Sequence, residues 1–530
     1  MVRYFRKLTG KNHVKSWQLA ALCLTVGMLI LRLRYIGSVE LFPEEAYYWL
    51  YSKHLALGYL DHPPMVGWII WLFTTTLGDT EFAVRLGAYA LWMVTAAFCF
   101  YSAKNLFNKP AAYAAMALLS TFPFFFVTGF LMTPDAPLTA CWAGALYFLE
   151  RALLDRKGHG WTGVGVCIGL GLLSKYTIVL LIPAALLFML LDRQSRSWLA
   201  RPAPYVALVV IVLLFLPDLI WNYEHHWTSF VFQGSRRFME SSTFNLPHLI
   251  GSILVLLTPV GALAALSGIT RKAIASESGN DWDRRKQLFI ATFTIFPLLV
   301  FLLFSLGRET KLNWTGPLWL AVIPQISRDM IAPGPFRSRL DKAMSMSWPP
   351  TFICLILLYS FFLPYLAAGT PYLSRFQPIN FDYIVGWKNL ASQIESIEDK
   401  VENITGVEPY VIGMDKNKIA SELAFYRNRI RPKGEGLYYT TGRHIFGEDS
   451  LMFQYWTPKI NEQANKKDQV LILVSRELPE FDRNHISSWG WRLGSIKELD
   501  ITDEHGTSAG KYFYAFALPK DHLKNSMQID

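Results

Sequence analysis

The chain is poor in cysteine and in charge, and both shortages limit what it can be. Only five of its 530 residues are cysteine, and all five fall within apolar segments. That placement excludes a disulfide framework and a metal site built on cysteine. Charged residues are 17% of the chain and hydrophobic residues 52%. This balance excludes an ordinary soluble protein, yet it is too polar for a chain that lies wholly in the membrane. No internal repeat or low-complexity tract is visible.

Long apolar runs are concentrated before about residue 370 and predict an α-helical polytopic membrane module. Several runs are shorter than the roughly 20 residues that a straight span requires. No small-residue cleavage site follows the first run, so we expect that run to be retained as a span. The sequence predicts about 11 spans, at 17–37, 83–103, 110–131, 136–150, 161–173, 176–191, 204–221, 247–267, 287–306, 315–326 and 349–368.

Basic residues predict the orientation. With the N-terminus in the cytoplasm, 22 Lys and Arg residues fall in the inner loops, against nine in the outer segments before the C-terminal region. An excess of this kind marks the cytoplasmic side of a membrane protein. The inner loops also account for most of the net charge of +10. We therefore do not interpret that charge as a nucleic-acid surface.

The composition changes near residue 370. From Thr370 to Asp530 there are 20 Lys and Arg against 22 Asp and Glu, and short alternating runs replace the long apolar ones. Strands are predicted at Val407–Ile412, Gln469–Val474 and Tyr512–Leu518, and an amphipathic helix at Lys418–Arg429. The sequence thus predicts a transmembrane module at 1–370 and a soluble α/β domain at 371–530. With eleven crossings, that domain lies outside.

The first outer loop carries the most unusual polar cluster. Glu44 and Glu45 follow the first span directly, and Asp61 and His62 come before Pro63-Pro64. Carboxylates at the boundary of a membrane are costly unless function retains them. We predict catalytic roles for Glu44, Glu45 and Asp61, against the alternative of a solvated loop pair.

The remaining outer segments carry further candidates for substrate binding, which are His62, Asp135, Lys175, His225, Arg236, Arg237, Lys311 and Trp314. Acids beside Lys and Arg at the interface suit a substrate with an anionic phosphate and a lipid tail. Each candidate also has a structural interpretation. Asp135 could cap the next helix, Lys175 could reach the headgroups as an anchor, and the two arginines could bind lipid nonspecifically. Asp61 and His225 are candidates for ligands of zinc, since two histidines and an acid can bind this metal, although the chain has no close H-x-x-x-H spacing.

Six motifs carry a family resemblance, in the same order over residues 1–370. They are Glu44-Glu45-Ala46-Tyr47-Tyr48-Trp49, Asp61-His62-Pro63-Pro64-Met65, Thr133-Pro134-Asp135-Ala136-Pro137-Leu138, Leu173-Ser174-Lys175-Tyr176, Trp221-Asn222 with His225, Trp227 and Ser229-Phe230, and Lys311 with Trp314 and Gly316-Pro317. Together they resemble the bacterial family 39/83 glycosyltransferases. This group includes the lipid A aminoarabinose transferase, the galacturonic acid transferases of lipopolysaccharide core and, more distantly, the protein O-mannosyltransferases.

The resemblance implies a GT-C fold and transfer, with inversion, of a sugar from a polyprenyl-phosphate donor. The acceptor would be lipid A, lipopolysaccharide or a related glycolipid on the periplasmic face of the bacterial inner membrane. It implies that Glu44 occupies the position of the catalytic acid, which is normally Asp. His62 stands where the aminoarabinose enzyme has Lys in an acid-Lys-Pro-Pro motif that helps hold metal and phosphate. Lys175, Arg236 or Arg237, and Lys311 would neutralise the donor phosphate. A divalent Zn, Mg or Mn ion is a candidate cofactor.

Two other functions remain open at this point. A protein O-glycosyltransferase would differ in its acceptor, which would be a protein. A lipid or polysaccharide transporter would place charges near the middle of the bilayer and would show internal repeats. The candidates here collect at one interface instead, which favours the enzyme.

Overall fold

The computed structural model describes residues 11–234, 243–275, 281–331, 339–368, 385–431, 438–457, 469–503, 506 and 508–520. Two compact units divide the chain. The described residues of Met1–Arg34, His62–Val66 and Leu86–Ser360 form the first unit. Those of Tyr35–Asp61, Gly67–Arg85 and Phe361–Asp530 form the second. The second unit therefore combines the C-terminal region with most of the first predicted outer loop.

Helices occupy every segment that was predicted as a span. The α-helices before residue 370 are α1 Lys11–Tyr35, α2 Pro43–Lys53, α3 Met65–Leu77, α4 Glu81–Leu106, α5 Lys109–Thr121, α6 Pro123–Thr128, α7 Asp135–Leu153, α8 Gly160–Leu172, α9 Leu181–Leu191, α10 Pro202–Glu224, α11 Thr228–Gln233, α12 Leu246–Ala275, α13 Asp281–Ser305, α14 Ile323–Ile331 and α15 Arg339–Ala368. Short 3₁₀ turns lie at Tyr176–Leu180, Ser195–Ala200 and Pro317–Ala321.

Six of the described helices are long and apolar enough to cross a membrane, and three more apolar helices are shorter. The helix Met65–Leu77 is one of the shorter three, and the sequence did not predict it. Large apolar side chains on α10 point outward, among them Val209, Val212 and Leu213 at 55–62% exposure. An apolar face of that extent is suited to lipid. The prediction of a polytopic helical membrane protein is confirmed.

Local sequence explains how several of these helices begin and pack. Asn108 caps α5 by accepting a hydrogen bond from the backbone nitrogen of Ala111 at 2.9 Å, as short polar side chains do at helix starts. Helix α8 packs closely on α10 at Gly165, which has no side chain. A Cβ at this position would lie only 2.9 Å from the carbonyl oxygen of Ala207. Small residues commonly allow such approaches between membrane helices.

Three of the loops that were predicted to be cytoplasmic are joined in the first unit by one arginine. Arg285, at the start of α13, contacts both carboxylate oxygens of Asp192 at 3.2 and 3.1 Å. Its two terminal nitrogens donate to the carbonyl oxygens of Leu154 and Leu153 at 3.2 and 2.6 Å. A single buried guanidinium thus binds at the ends of α7 and α9 together.

In the second unit, a five-stranded sheet has the order β2-β1-β3-β5-β4. Its strands are β1 Tyr410–Gly413, β2 Thr440–Gly442, β3 Leu471–Ser475, β4 Trp491–Thr502 and β5 Ser508–Pro519. Strand β1 pairs in parallel with β2 and β3, and β5 lies antiparallel between β3 and β4. Helices α16 Trp387–Thr405, α17 Lys418–Ile430, α18 Phe453–Trp456 and α19 Arg483–Ser488 accompany the sheet. The three predicted strands and the predicted helix are all present, whereas α16, α18, α19, β2 and β4 were not predicted.

Candidate active site

The two neighbouring glutamates of the first outer loop lie in the first turn of α2, after Pro43. Proline is well suited to the first helical position, and acids are favoured there by the helix dipole. The two side chains nevertheless have opposite environments. Glu45 is fully buried, whereas Glu44 is exposed, and no residue in the described part of the chain bonds to its carboxylate. Only Glu44 is accessible to a substrate.

Arg85 holds Glu45 in place. The Nε atom of Arg85 lies 2.9 and 3.0 Å from the two carboxylate oxygens of Glu45, and Nη2 lies 2.6 Å from one of them. The same guanidinium donates to the carbonyl oxygens of Ile36, Val39 and Glu40 at 2.7 to 3.0 Å. A two-pronged pair of this kind gives geometric precision as well as energy. Arg85 thus fixes the chain that leads into α2, a role that sequence reasoning missed.

Asp61 is surrounded by tyrosine side chains. Its Oδ1 atom accepts hydrogen bonds from the hydroxyls of Tyr47 and Tyr51 at 2.8 and 2.6 Å. Burial raises the pKa of Asp61 above its ordinary value, and the two tyrosine hydrogen bonds oppose that rise. Tyr51 in turn stacks on Tyr59 with ring centroids 3.7 Å apart. Asp61 is therefore tightly held by the loop that carries it and by α2.

In the first unit, the carboxylate of Asp135 contacts residues of two other predicted motifs, those of Lys175 and Lys311. It is the first residue of α7, and its Oδ1 atom accepts a hydrogen bond from the ammonium of Lys175 at 2.9 Å. Its Oδ2 atom accepts from the side-chain amide of Asn313, two residues after Lys311. Two of the predicted substrate-binding residues, Asp135 and Lys175, are thus in direct contact, and the segment that carries Lys311 lies beside them.

A second buried cluster begins at the residue that follows Lys175. The hydroxyl of Tyr176 donates to Asp218 at 2.9 Å and lies 3.1 Å from the hydroxyl of Ser229. The amide of Asn222 donates to the carboxylate of Asp218 at 3.1 Å. Asp218, Asn222 and Ser229 are all fully buried. Sequence reasoning missed Asp218, although an acid within an apolar span was a sufficient signal.

The other predicted residues lie as follows. His62 and Trp314 are half-buried and Lys311 is exposed. His225 is half-buried and stacks on Trp221 with centroids 4.1 Å apart, and its Nδ1 atom donates to the carbonyl oxygen of Trp221 at 2.8 Å. Arg236 and Arg237 lie outside the described residues.

The metal prediction finds little support in the arrangement of donors. Within the described ranges, no group of three or more His, Cys, Asp and Glu side chains is placed to hold an ion. Asp61 directs one oxygen to two tyrosine hydroxyls, and the Nδ1 atom of His225 is engaged by the backbone. A metal at either residue stays a prediction.

The helical unit and the small sheet define the class: the chain is a multi-pass membrane protein of the GT-C fold. Its structure aligns with that of ArnT from Cupriavidus metallidurans bound to undecaprenyl phosphate with a TM-score of 0.61 and 11% identity, over 96% of this chain and 98% of that chain. The apo form of the same protein aligns with a TM-score of 0.60 and 14% identity, over 93% and 97% of the two chains. At such low identities the likeness shows the fold alone.

Sequence comparison identifies the relatives. Residues 61–221 match the dolichyl-phosphate-mannose-protein mannosyltransferase family. The lipid A galacturonosyltransferase RgtD of Rhizobium johnstonii is 28% identical over 200 residues, which are 36% of this chain and 40% of that protein. The undecaprenyl phosphate-alpha-4-amino-4-deoxy-L-arabinose arabinosyl transferase of Pseudomonas paraeruginosa is 27% identical over 294 residues, 51% of this chain and 50% of that protein. The resemblance predicted from the six motifs is confirmed, and the chain spans about half or less of the length of these relatives.

Proposed function

We propose that this chain is an inverting glycosyltransferase that uses a polyprenyl-phosphate sugar as donor. Its acceptor is lipid A, lipopolysaccharide or a related glycolipid at the outer face of the bacterial inner membrane. The N-terminus lies in the cytoplasm, and residues 371–530 form a domain in the periplasm. Two relatives, a lipid A galacturonosyltransferase and an arabinosyl transferase named for an undecaprenyl-phosphate sugar, support this reaction class.

The observation that carries the proposal is the contrast between Glu44 and Glu45. Arg85 locks Glu45 and thereby fixes the first turn of α2. Glu44, one residue earlier, projects from that fixed turn with an exposed carboxylate. A general base must be held within reach of the proton that it removes and must be open to the substrate. Glu44 is open to the substrate and stands on a turn that Arg85 fixes through Glu45, so Glu44 is the carboxylate suited to this role.

The reaction requires one bond to form and one to break at the anomeric carbon. An oxygen of the acceptor attacks C1 of the sugar, and the polyprenyl phosphate leaves from the opposite face with the bonding electrons. If the acceptor is a hydroxyl, Glu44 takes its proton. If the acceptor is a phosphate, no base is required and Glu44 orients a substrate.

The leaving phosphate gains charge as the bond breaks, and cations stabilise that charge best where water is scarce. Lys175 suits this role, because an ammonium has three donors and Asp135 uses one of them. The contact between Asn313 and Asp135 keeps the segment of Lys311 near Lys175. We propose that these two lysines bind the donor phosphate, with Arg236 and Arg237 as further candidates.

The decisive experiment is mass spectrometry of glycolipids from a wild-type strain and from a deletion strain. The proposal predicts that the deletion removes the mass of one sugar from a glycolipid and that the wild-type gene restores it. Glu44→Gln should fail to restore it although the protein accumulates normally. Glu402→Gln is the matched control, since Glu402 is 44% exposed at its side chain. A sugar lost from a protein instead would establish the protein O-glycosyltransferase, and unchanged glycolipids and proteins would overturn both enzymes.

Kinetics of purified variants test the phosphate site. Lys175→Ala and Lys311→Ala should each lower kcat or raise KM for the donor. Wild-type kinetics in both would eliminate these lysines as phosphate ligands, even if expression or thermal stability were reduced.

A further inference from the structure

One face of the helix Lys418–Ile430 packs against the first outer loop. Residues 422, 425, 426 and 429 share this face because of their spacing. The ring of Phe425 meets that of Trp49 edge to face at 5.1 Å. The backbone nitrogen of Leu41 donates to the hydroxyl of Tyr426 at 2.8 Å. Tyr426 therefore holds the chain three residues before Glu44.

The helix Trp387–Thr405 holds the adjacent residue. The carboxylate of Glu40 accepts hydrogen bonds from the backbone nitrogens of Trp387 and Lys388 at 2.9 and 3.1 Å. These are donors of the first helical turn, where a negative charge is favoured. Residues 40 and 41 are thus bound by two different helices of the C-terminal region.

A third contact lies on the far side of α2. The backbone nitrogen of Met452 donates to the hydroxyl of Tyr47 at 3.3 Å, and Tyr47 donates onward to Asp61. The ring of Trp456 lies 5.9 and 5.8 Å from the rings of Tyr47 and Tyr51. The helix with Glu44 is therefore held by the C-terminal region both at its start and along its tyrosine face.

From these contacts we infer that the C-terminal domain serves as a clamp for the catalytic segment, and that Tyr426 is a positioning residue for Glu44. The inference rests on the proposed function of Glu44. Tyr426 acts through the backbone of Leu41, since the buried Leu41 amide depends on the Tyr426 hydroxyl for its hydrogen bond. An unsatisfied buried amide is unfavourable, so without the hydroxyl the chain would shift to reach another acceptor. Misplacing a reactive group by about 1 Å can cost about 100-fold in rate.

The test compares three full-length variants with the wild-type protein. Tyr426→Phe keeps the ring and removes only the hydroxyl. Glu40→Gln removes the charge from the second contact and keeps one acceptor oxygen. Tyr438→Phe is the matched control, because Tyr438 is 71% exposed in the same domain. Hydrogen exchange of peptides that cover residues 38–48 is measured beside donor kinetics with a polyprenyl-phosphate sugar.

The expected result is faster exchange at 38–48 in Tyr426→Phe, with kcat at least about 10-fold lower and donor KM within about twofold of wild type. Glu40→Gln should change both readings in the same direction, and Tyr438→Phe should change neither. Faster exchange with unchanged kcat would overturn the positioning role and leave Tyr426 as a structural contact. Unchanged exchange in both variants would overturn the clamp itself. If the wild-type protein transfers no sugar while exchange responds as expected, the proposed function fails and the clamp stands.

Discussion

Replacing Glu422 with glutamine should stabilise the protein at neutral pH. Glu422 is fully buried in α17, and neither of its carboxylate oxygens has a partner among the residues that the structure describes. Burial raises the pKa of Glu422 well above its ordinary value of 4.5, and the charges of Glu40, Glu45 and Glu44 raise it further, while Arg85 opposes them. There is therefore a pH range above 4.5 in which Glu422 is protonated in the native protein but ionised in the unfolded chain.

The sign and the size of the effect follow from proton linkage. Because the pKa in the native state is raised, stability is unaffected below the unfolded value of 4.5 and falls as the pH rises above it. The loss is about 1.4 kcal/mol per pH unit until the pH reaches the native pKa. At pH 7.5 the limit is therefore about 4 kcal/mol. Glutamine has nearly the same shape and does not titrate, so the substitution removes this loss.

Thermal unfolding in detergent, followed by tryptophan fluorescence from pH 5 to pH 8.5, measures the effect. The apparent melting temperatures of Glu422→Gln and wild type should agree near pH 5 and separate by several degrees at pH 7.5, with the variant higher. Glu402→Gln, a change at an exposed position, should follow the wild type throughout. Parallel curves for Glu422→Gln and wild type across this range would refute the reasoning, because they would mean that Glu422 is not protonated in the native state.

Three further outcomes are expected. Arg85→Met should lower the folded yield strongly on size-exclusion chromatography, because an unpaired buried carboxylate costs about 3–5 kcal/mol, and wild-type yield would contradict the role given to this ion pair. Gly316→Ala would place a Cβ 2.0 Å from a phenylalanine ring carbon and should lower the apparent melting temperature, whereas Gly251→Ala, with open space around it, should not. Reporter fusions after Lys157 and Arg443 should report cytoplasm and periplasm, and a cytoplasmic signal at the second position would change the span count.

The sequence by itself determined the helical membrane module and three strands and one helix of the C-terminal region. Apolar length and the spacing of Lys and Arg are properties of short segments, and membrane insertion responds to them directly. The same is true of the alternating runs that became β1, β3 and β5, and of the amphipathic pattern that became the helix Lys418–Ile430. The short strand Thr440–Gly442 was missed because three residues carry too little pattern to detect.

Only the tertiary structure decided which of the two glutamates is exposed. Neighbouring residues on a helix point in different directions, so one glutamate faces the core and the other faces solvent. Because the two residues are chemically identical, the sequence does not indicate which one is buried. Arg85 lies 40 positions away from Glu45 and binds its carboxylate. This contact keeps Glu45 buried and leaves Glu44 exposed. Tyr426 lies 385 positions away from Leu41, whose amide it holds. Contacts over such distances depend on how complete helices pack, and no local pattern encodes them.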